Sequence, residues 1–177
     1  WIVTGSPHGV YEDHSWIPTV SQLINNVYEA NLPIFGVCFG HQLIAQALGG
    51  HVEKSEKGWG LGLHTYQVNN KPDYMSNLSE EVTLNICHQD QVLRPPQGAT
   101  VYAKSEFCEN AGFYIKDKVL TMQAHLEFLV DFTKALLAAR RDVTIPKEFV
   151  DPALVGLKNN PDSVQSNEFA KTIRQFF

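Results

Sequence analysis

A cysteine lies between two glycines at the point where an apolar run gives way to a helix-forming one. Cys38, with Gly36 before it and Gly40 after it, has the spacing of a nucleophile elbow, a tight strand-to-helix turn that holds a reactive side chain at a sheet edge. Glycine is expected on both sides because the strand and the helix pass close together there. The backbone N–H of Phe39 would face a developing oxyanion. The helix N-terminus would also lower the pKa of Cys38 and favour the thiolate.

A histidine and a glutamate two residues apart could complete this chemistry. A thiol nucleophile needs a base, and the base needs a group that orients it. His125 and Glu127 follow the apolar run of residues 119–122. If that run is a strand, their side chains and Cys38 collect outside the carboxyl ends of neighbouring strands.

Each of these residues also has a purely structural interpretation. A free cysteine is commonly a small buried residue. His125 could begin a helix, with Glu127 as a first-turn carboxylate that interacts favourably with the helix dipole. The three together favour the catalytic interpretation, because a thiol, an imidazole and a carboxylate form a complete nucleophile–base–orienter set.

The composition indicates a globular protein. The chain has 177 residues and a net charge of −5, without a basic run, which argues against a nucleic-acid-binding surface. Its apolar stretches are far shorter than the roughly 20 residues that cross a bilayer, so we expect no membrane association. Cys38, Cys87 and Cys108 are too few and too scattered for a disulfide framework. We therefore expect a reducing, cytoplasmic location.

The pattern of apolar residues changes along the chain. It begins as alternating strands and helices, which implies parallel strands covered by helices. Shorter strands joined by turns follow, which implies antiparallel pairing, and the chain then returns to helix. The predicted strands are residues 1–4, 33–37, 61–68, 82–88, 99–104, 111–115 and 119–122, and the predicted helices are residues 15–31 and 39–48, with others starting at 128, at 146, and at 161 or 163.

These elements predict an α/β fold, a three-layer α/β/α sandwich around a mostly parallel sheet with an antiparallel extension. We expect residues 1–177 to form a single domain. Because a strand is already under way at Trp1, we also expect that this domain is N-terminally incomplete.

The motifs resemble those of class I, triad-type glutamine amidotransferases. The resemblance covers essentially the whole chain and is closest to the stand-alone, GMP synthase-like branch. It implies a flavodoxin-like fold that lacks its first strand and helix here. It rests on four segments in the family's order, Thr4-Gly5-Ser6-Pro7, Gly36-Val37-Cys38-Phe39-Gly40-His41-Gln42, His88-Gln89-Asp90-Gln91-Val92 and Gln123-Ala124-His125-Leu126-Glu127.

The resemblance implies a role for each residue. Cys38 would attack the side-chain amide of glutamine, His125 would act as base and acid, and Glu127 would orient His125. The implied binding groups are the backbone N–H groups of Gly5 and Phe39 for the oxyanion, and Gln42, His88, Gln89 and Asp90 for the substrate. The family implies no metal and no cofactor.

Two residues depart from the family pattern. Ala124 and Leu126 stand where the family commonly has glycine and proline beside the histidine. The turn would differ slightly without these residues, but no reacting group is lost.

Three functions follow from this resemblance. The first is hydrolysis of glutamine through a γ-glutamyl thioester, with ammonia passing to a separate synthetase or being released. The second is hydrolysis of other γ-glutamyl amides or peptides by the same triad. The third is a non-catalytic regulatory subunit, which the complete triad disfavours. Chaperone or peptidase relatives with a similar elbow are disfavoured by the His-x-Glu motif and Gln42.

Other candidate motifs are weaker. Cys87 and His88 are adjacent, so in a strand their side chains would point to opposite faces. The glycine-rich residues 58–62 lack the lysine of a phosphate loop and predict a turn that borders the pocket. The histidines show no metal-ligand spacing, at positions 8, 14, 41, 51 and 64.

Overall fold

The computed structural model describes residues 1–160 and 164–177. Its strands are β1 (Ile2–Val3), β2 (Ile34–Val37), β3 (His51–Lys54), β4 (Gly60–Val68), β5 (Glu81–His88), β6 (Asp90–Arg94), β7 (Thr100–Lys104), β8 (Gly112–Ile115) and β9 (Val119–Met122). Its α-helices are α1 (Trp16–Glu29), α2 (Phe39–Ala47), α3 (Val130–Arg140), α4 (Lys147–Asn159) and α5 (Ser166–Phe176). None of the helices in these described ranges is both long and apolar enough to cross a membrane.

The main sheet is mixed. Within the described residues it has seven strands in the order β1-β2-β9-β8-β7-β4-β5, and β3 pairs with β6 in a separate ribbon. The strands β1, β2 and β9 are parallel, and the other pairings are antiparallel. The α/β fold is confirmed, but the antiparallel part is larger than the sequence predicts. Short connections such as Lys116–Lys118, between β8 and β9, can join only antiparallel neighbours.

The sheet is covered on both faces. Successive residues of a strand point to opposite faces, and in β2 Ile34 packs into the core under α1 and α2, whereas Phe35 packs into the core that includes Phe169 of α5. A further cluster packs α3 and α4 against β4, through Leu61, Leu137, Val150 and Leu157. The three-layer arrangement predicted from the sequence is therefore present.

Most of the predicted boundaries lie within two residues of the observed ones. Strands β3 and β6 were not predicted, because each has polar ends and pairs with the other from a distant part of the sequence. The third helix begins at Val130 rather than at 128. The predicted helix start at Pro161 or Ser163 lies outside the described residues, and the last helix begins at Ser166.

Candidate active site

The turn between β2 and α2 holds Cys38 in a strained backbone conformation. Its φ is +50° and its ψ is −105°, a combination that residues with a side chain rarely adopt. The backbone N–H of Cys38 donates to the carbonyl of Met122 at 2.9 Å, which ties the turn to the end of β9. Strain of this kind is typical of functional sites.

The flanking glycines are required by close backbone approaches, as the sequence predicts. A Cβ at Gly40 would lie 2.0 Å from the carbonyl oxygen of Val3 in β1. A Cβ at Gly36 would lie 2.7 Å from the carbonyl oxygen of Gly40. The start of α2 therefore lies directly against the strands that carry the turn.

His125 and Glu127 form a hydrogen-bonded pair. His125 Nδ1 lies 2.7 Å from Glu127 Oε1, and the His125 backbone N–H donates to the carbonyl of Asn85 at 2.8 Å. The imidazole stacks on Phe128, with ring centroids 3.8 Å apart and planes at 5°. If Nδ1 carries the proton that Glu127 accepts, Nε2 is left as a free base.

The charge of Glu127 is maintained by this pairing. Burial tends to raise the pKa of Glu127, but the hydrogen bond with His125 and the backbone N–H groups of Leu126 and Glu127 outweigh burial and lower the pKa below its ordinary value. The carboxylate is therefore ionised at neutral pH.

Gly5 lies between the cysteine and the histidine. A Cβ placed on Gly5 would be 3.0 Å from His125 Cε1 and 3.9 Å from Cys38 Cβ. The loop after β1, the elbow and the segment after β9 thus meet at one point. Among the described residues, the side chain that donates to Cys38 Sγ is that of Gln123, at 3.6 Å, and not that of His125. No role for Gln123 was predicted from the sequence.

The sequence-based prediction of a lowered Cys38 pKa is wrong for this structure. Burial raises the pKa of Cys38 to about 12, and Cys87 adds to the rise. The backbone N–H of Phe39 and the amide of Gln123 act in the opposite direction and do not overcome burial. The resting thiol is therefore neutral and needs a base to become a nucleophile.

Two cavities are lined by Cys38. One, of about 250 Å³, is also lined by His125, Glu127, Phe128 and Leu136. The other, of about 190 Å³, is lined by predicted substrate-binding residues and by Trp59. The glycine-rich residues 58–62 therefore border the pocket through Trp59, but the predicted turn is wrong for residues 60–62, which begin β4. Four residues line both cavities in addition to Cys38, namely Ser6, Pro7, Cys87 and Arg140. Arg140 was not predicted from the sequence, because no local pattern links it to the elbow.

The predicted substrate-binding residues surround the smaller cavity. Gln42 Nε2 donates to the carbonyl of Asp90 at 2.8 Å and to Gln123 Oε1 at 3.1 Å. His88 Nδ1 lies 3.0 Å from the same Asp90 carbonyl, and burial lowers the pKa of His88 to about 3. Gln89 also lines the cavity. The structure brings all the predicted residues together, and their individual roles stay predictions.

A possible metal-ligand group lies beside the smaller cavity, where the sequence analysis found no metal-ligand spacing. The potential ligand atoms of His8, Glu12 and His14 lie within 4.8 Å of one another, because the loop turns back on itself after Gly9. Two imidazoles and a carboxylate could hold a zinc ion with an open position. In this structure, however, the Glu12 carboxylate accepts hydrogen bonds from both imidazoles and from the Gly9 N–H.

The sequence matches a known protein family over most of its length. A model described as "Glutamine amidotransferase class-I" matches residues 1–140. The chain belongs to the class I glutamine amidotransferase family. This assignment confirms the resemblance drawn from the sequence motifs.

The chain is similar to several named proteins and to solved structures. It is 32% identical over 169 residues to "Gamma-glutamyl peptidase 4" of Arabidopsis thaliana, covering 90% of this chain and 66% of that protein. It is 32% identical over 127 residues to "GMP synthase [glutamine-hydrolyzing]" of Finegoldia magna, covering 71% of this chain and 24% of that protein. The chain therefore spans less than two thirds of the length of each of these relatives. A glutamine amidotransferase structure from Thermotoga maritima shares the fold, with a TM-score of 0.83 and 22% identity over 99% of this chain and 77% of that one.

Proposed function

We propose that this chain hydrolyses γ-glutamyl amide bonds through a γ-glutamyl thioester on Cys38, with glutamine as the substrate and ammonia as the first product. The observation that carries this proposal is the position of the strained Cys38 beside His125, whose Nδ1 is held by Glu127 at 2.7 Å. The family assignment supports the same chemistry.

The first half of the reaction forms the thioester. His125 Nε2 takes the proton of the Cys38 thiol as Sγ attacks the γ-carbonyl carbon, and the carbonyl electrons move onto oxygen. When the tetrahedral intermediate collapses, the C–N bond breaks and His125 gives its proton to the departing nitrogen. Because the resting thiol has a raised pKa, this attack depends on proton removal by His125.

The second half releases glutamate. His125 takes a proton from a water molecule as the water attacks the thioester carbon, and the C–S bond then breaks. The leaving thiolate regains the proton from His125, which returns the site to its starting state. Glu127 stabilises the imidazolium that forms in both halves.

Backbone groups would hold the oxyanion and the glutamyl head. The N–H of Phe39 faces Cys38 closely enough to act against the rise in its pKa, which supports its role as an oxyanion donor. We propose Gly5 as the second donor, because it lies close to both Cys38 and His125. Gln42 and the turn formed by His88, Gln89 and Asp90 would bind the α-amino and α-carboxylate groups.

A γ-glutamyl peptide is the second candidate substrate. The Arabidopsis thaliana relative is named a gamma-glutamyl peptidase, and the guanidinium of Arg140 lies on the wall of both cavities. Glutamine hydrolysis would instead fit a separate synthetase partner that accepts ammonia, in line with the GMP synthase relative. A panel of glutamine and γ-glutamyl peptides separates these substrates.

The proposal is tested by labelling with an electrophilic glutamine analogue, followed by intact-mass and peptide-mass measurement. We expect one adduct on Cys38, blocked by excess glutamine and absent from Cys38→Ser. Cys108→Ser is the matched control, because Cys108 is buried outside both cavities and its loss should leave labelling unchanged. A folded protein that forms no adduct and hydrolyses none of the substrates would instead indicate the non-catalytic role.

A further inference from the structure

Arg140 lies beside the space that a substrate bound at Cys38 would occupy. It is the last residue of α3, and its half-buried side chain lines both cavities that reach Cys38. Its Nη1 donates to Cys87 Sγ at 3.7 Å. Cys87 lines the same two cavities, so this contact holds the guanidinium against the site.

Arg140 differs from its neighbour Arg141 in its ion pairing. Within residues 1–160 and 164–177, no carboxylate forms an ion pair with Arg140. The next residue provides a contrast, because the guanidinium of Arg141 is held by both oxygens of Asp151, at 2.7 and 2.9 Å. A guanidinium has five N–H donors, and Cys87 occupies one of them. The remaining donors match a carboxylate, which guanidinium groups bind through two parallel hydrogen bonds.

The larger cavity is also too large for ammonia alone. Its volume is about 250 Å³, whereas a molecule of the size of water occupies about 30 Å³ in the liquid. Phe128 and Leu136 give it apolar walls that suit an amino-acid side chain. His125, which would protonate the departing nitrogen, lies in the same wall, so the leaving group would be released into this space.

A carboxylate in this cavity would need a positive partner. Glu127 lines the cavity and is ionised, so it would repel an anionic leaving group. Arg140 is the residue in that lining with an opposite, permanent charge. The cavity thus combines space, apolar walls and a cation on the leaving-group side of Cys38.

We infer that Arg140 binds the free carboxylate of the amino acid released from a γ-glutamyl dipeptide, so that dipeptides with this carboxylate are hydrolysed faster than those in which it is blocked. The inference rests on the proposed function of Cys38, His125 and Glu127. It adds a carboxylate subsite, distinct from the proposed site for the glutamyl head.

The test compares kcat/KM for three substrates, namely a γ-glutamyl dipeptide with a free carboxylate, the same dipeptide as its C-terminal amide, and glutamine. For the unaltered chain we expect the free acid to exceed the amide by about 10- to 100-fold, the range expected when a hydrogen bond to a charged group is lost. In Arg140→Gln the ratio of acid to amide should fall to about one, and Arg140→Lys should restore part of it.

Arg141→Gln is the matched control, because it removes the neighbouring guanidinium, which is paired with Asp151 on the surface. It should leave the ratio of acid to amide unchanged. The comparison of acid and amide on the unaltered chain needs no variant, so it decides the question even if Arg140→Gln does not fold.

Three outcomes would overturn the inference. Equal rates for acid and amide, with Cys38 still forming its adduct, would exclude the subsite and leave the proposed function intact. An equal loss for glutamine and the dipeptide in Arg140→Gln would mean that Arg140 binds the α-carboxylate of the glutamyl group. Hydrolysis of none of the substrates, with no adduct on Cys38, would overturn both proposals.

Discussion

At the scale of single residues, the pairing of His125 with Glu127 decides which imidazole nitrogen can act. The Nδ1 atom is committed to Glu127 at 2.7 Å, and stacking on Phe128 fixes the plane of the ring. The pKa of Glu127 lies below its ordinary value, because the hydrogen bond with His125 lowers this pKa and outweighs the rise caused by burial. An ionised Glu127 therefore keeps the proton on Nδ1 and leaves Nε2 free to accept another.

Substitution Glu127→Gln should reduce kcat/KM for γ-glutamyl hydrolysis by about 10²- to 10⁴-fold, because an amide no longer fixes the tautomer or stabilises the imidazolium. Since Glu127 is half exposed, the free energy of unfolding should change by less than about 1 kcal/mol. Steady-state kinetics and urea denaturation measure the two effects. Glu29→Gln, on the exposed end of α1, is the control and should change neither. A loss of less than threefold in Glu127→Gln would argue against the orienting role.

The residues of the proposed triad could be found from sequence, but their electrostatics could not. Two local patterns identify them, namely the glycines on either side of Cys38 and the His-x-Glu spacing of His125 and Glu127. The expected fall in the pKa of Cys38 rested on the helix terminus, an effect of typically 0.3–1 kcal/mol. Burial can shift a pKa by up to 3–5 units, and burial depends on residues distant in sequence. Arg140 and Gln123 were missed for the same reason.

At the scale of elements, the elbow depends on how closely α2 approaches β1 and β2. The carbonyl of Val3 occupies the position that a Cβ on Gly40 would need. Backbone atoms cannot move aside as a flexible side chain can, so one methyl group would push the helix from the strand. Gly156 in α4 has open space around its Cβ position instead.

Two alanine substitutions should therefore have opposite effects. Gly40→Ala should lower the free energy of unfolding by about 1–3 kcal/mol, the usual cost of overpacking. Gly156→Ala should raise it by about 0.5–1 kcal/mol, because alanine costs less entropy in a helix interior. Urea denaturation of the two variants beside the unaltered chain measures both. Equal effects of the two substitutions would mean that the approach of α2 to β1 is not tight.

The elements around the elbow follow from local sequence patterns, but the proportion of parallel to antiparallel pairing in the sheet does not. Strand β9 begins and ends at the predicted residues, because a continuous apolar run defines it. Strand β6 is half-polar and forms only by pairing with β3, about 40 residues earlier in the chain. The larger share of antiparallel pairing follows from such partners, which local periodicity does not specify.

At the scale of the whole molecule, two buried histidines make folding sensitive to acid. His41 is fully buried, with Nδ1 2.8 Å from Thr121 Oγ1, and His88 is almost fully buried beside the smaller cavity. Burial lowers the pKa of each from 6.5 to about 3. Both are therefore neutral in the folded chain at a pH where the unfolded chain binds protons on them.

The sign of the effect follows from linkage. Below pH 6.5 the unfolded state binds more protons than the folded state, so stability is lost as the pH falls towards 3. The carboxylates with lowered pKa values, such as Glu127 and Asp151, have ordinary values of 4.5 and 3.8 and contribute only at more acidic pH. The interval between pH 6.5 and 4.5 therefore isolates the histidines.

In that interval the free energy of unfolding should fall by up to about 1.4 kcal/mol per pH unit for each of the two histidines. His64, whose pKa burial also lowers, adds to this slope. Urea denaturation at constant ionic strength and a series of pH values measures this slope. In His41→Gln, whose amide can still reach Thr121, the slope should lose the contribution of His41, up to about 1.4 kcal/mol per pH unit, whatever the stability at neutral pH. His51→Gln is the matched control, because His51 lies on the surface, and its slope should equal that of the unaltered chain. A flat dependence in the unaltered chain would show that His41 and His88 take up protons without unfolding, and so that water reaches both rings.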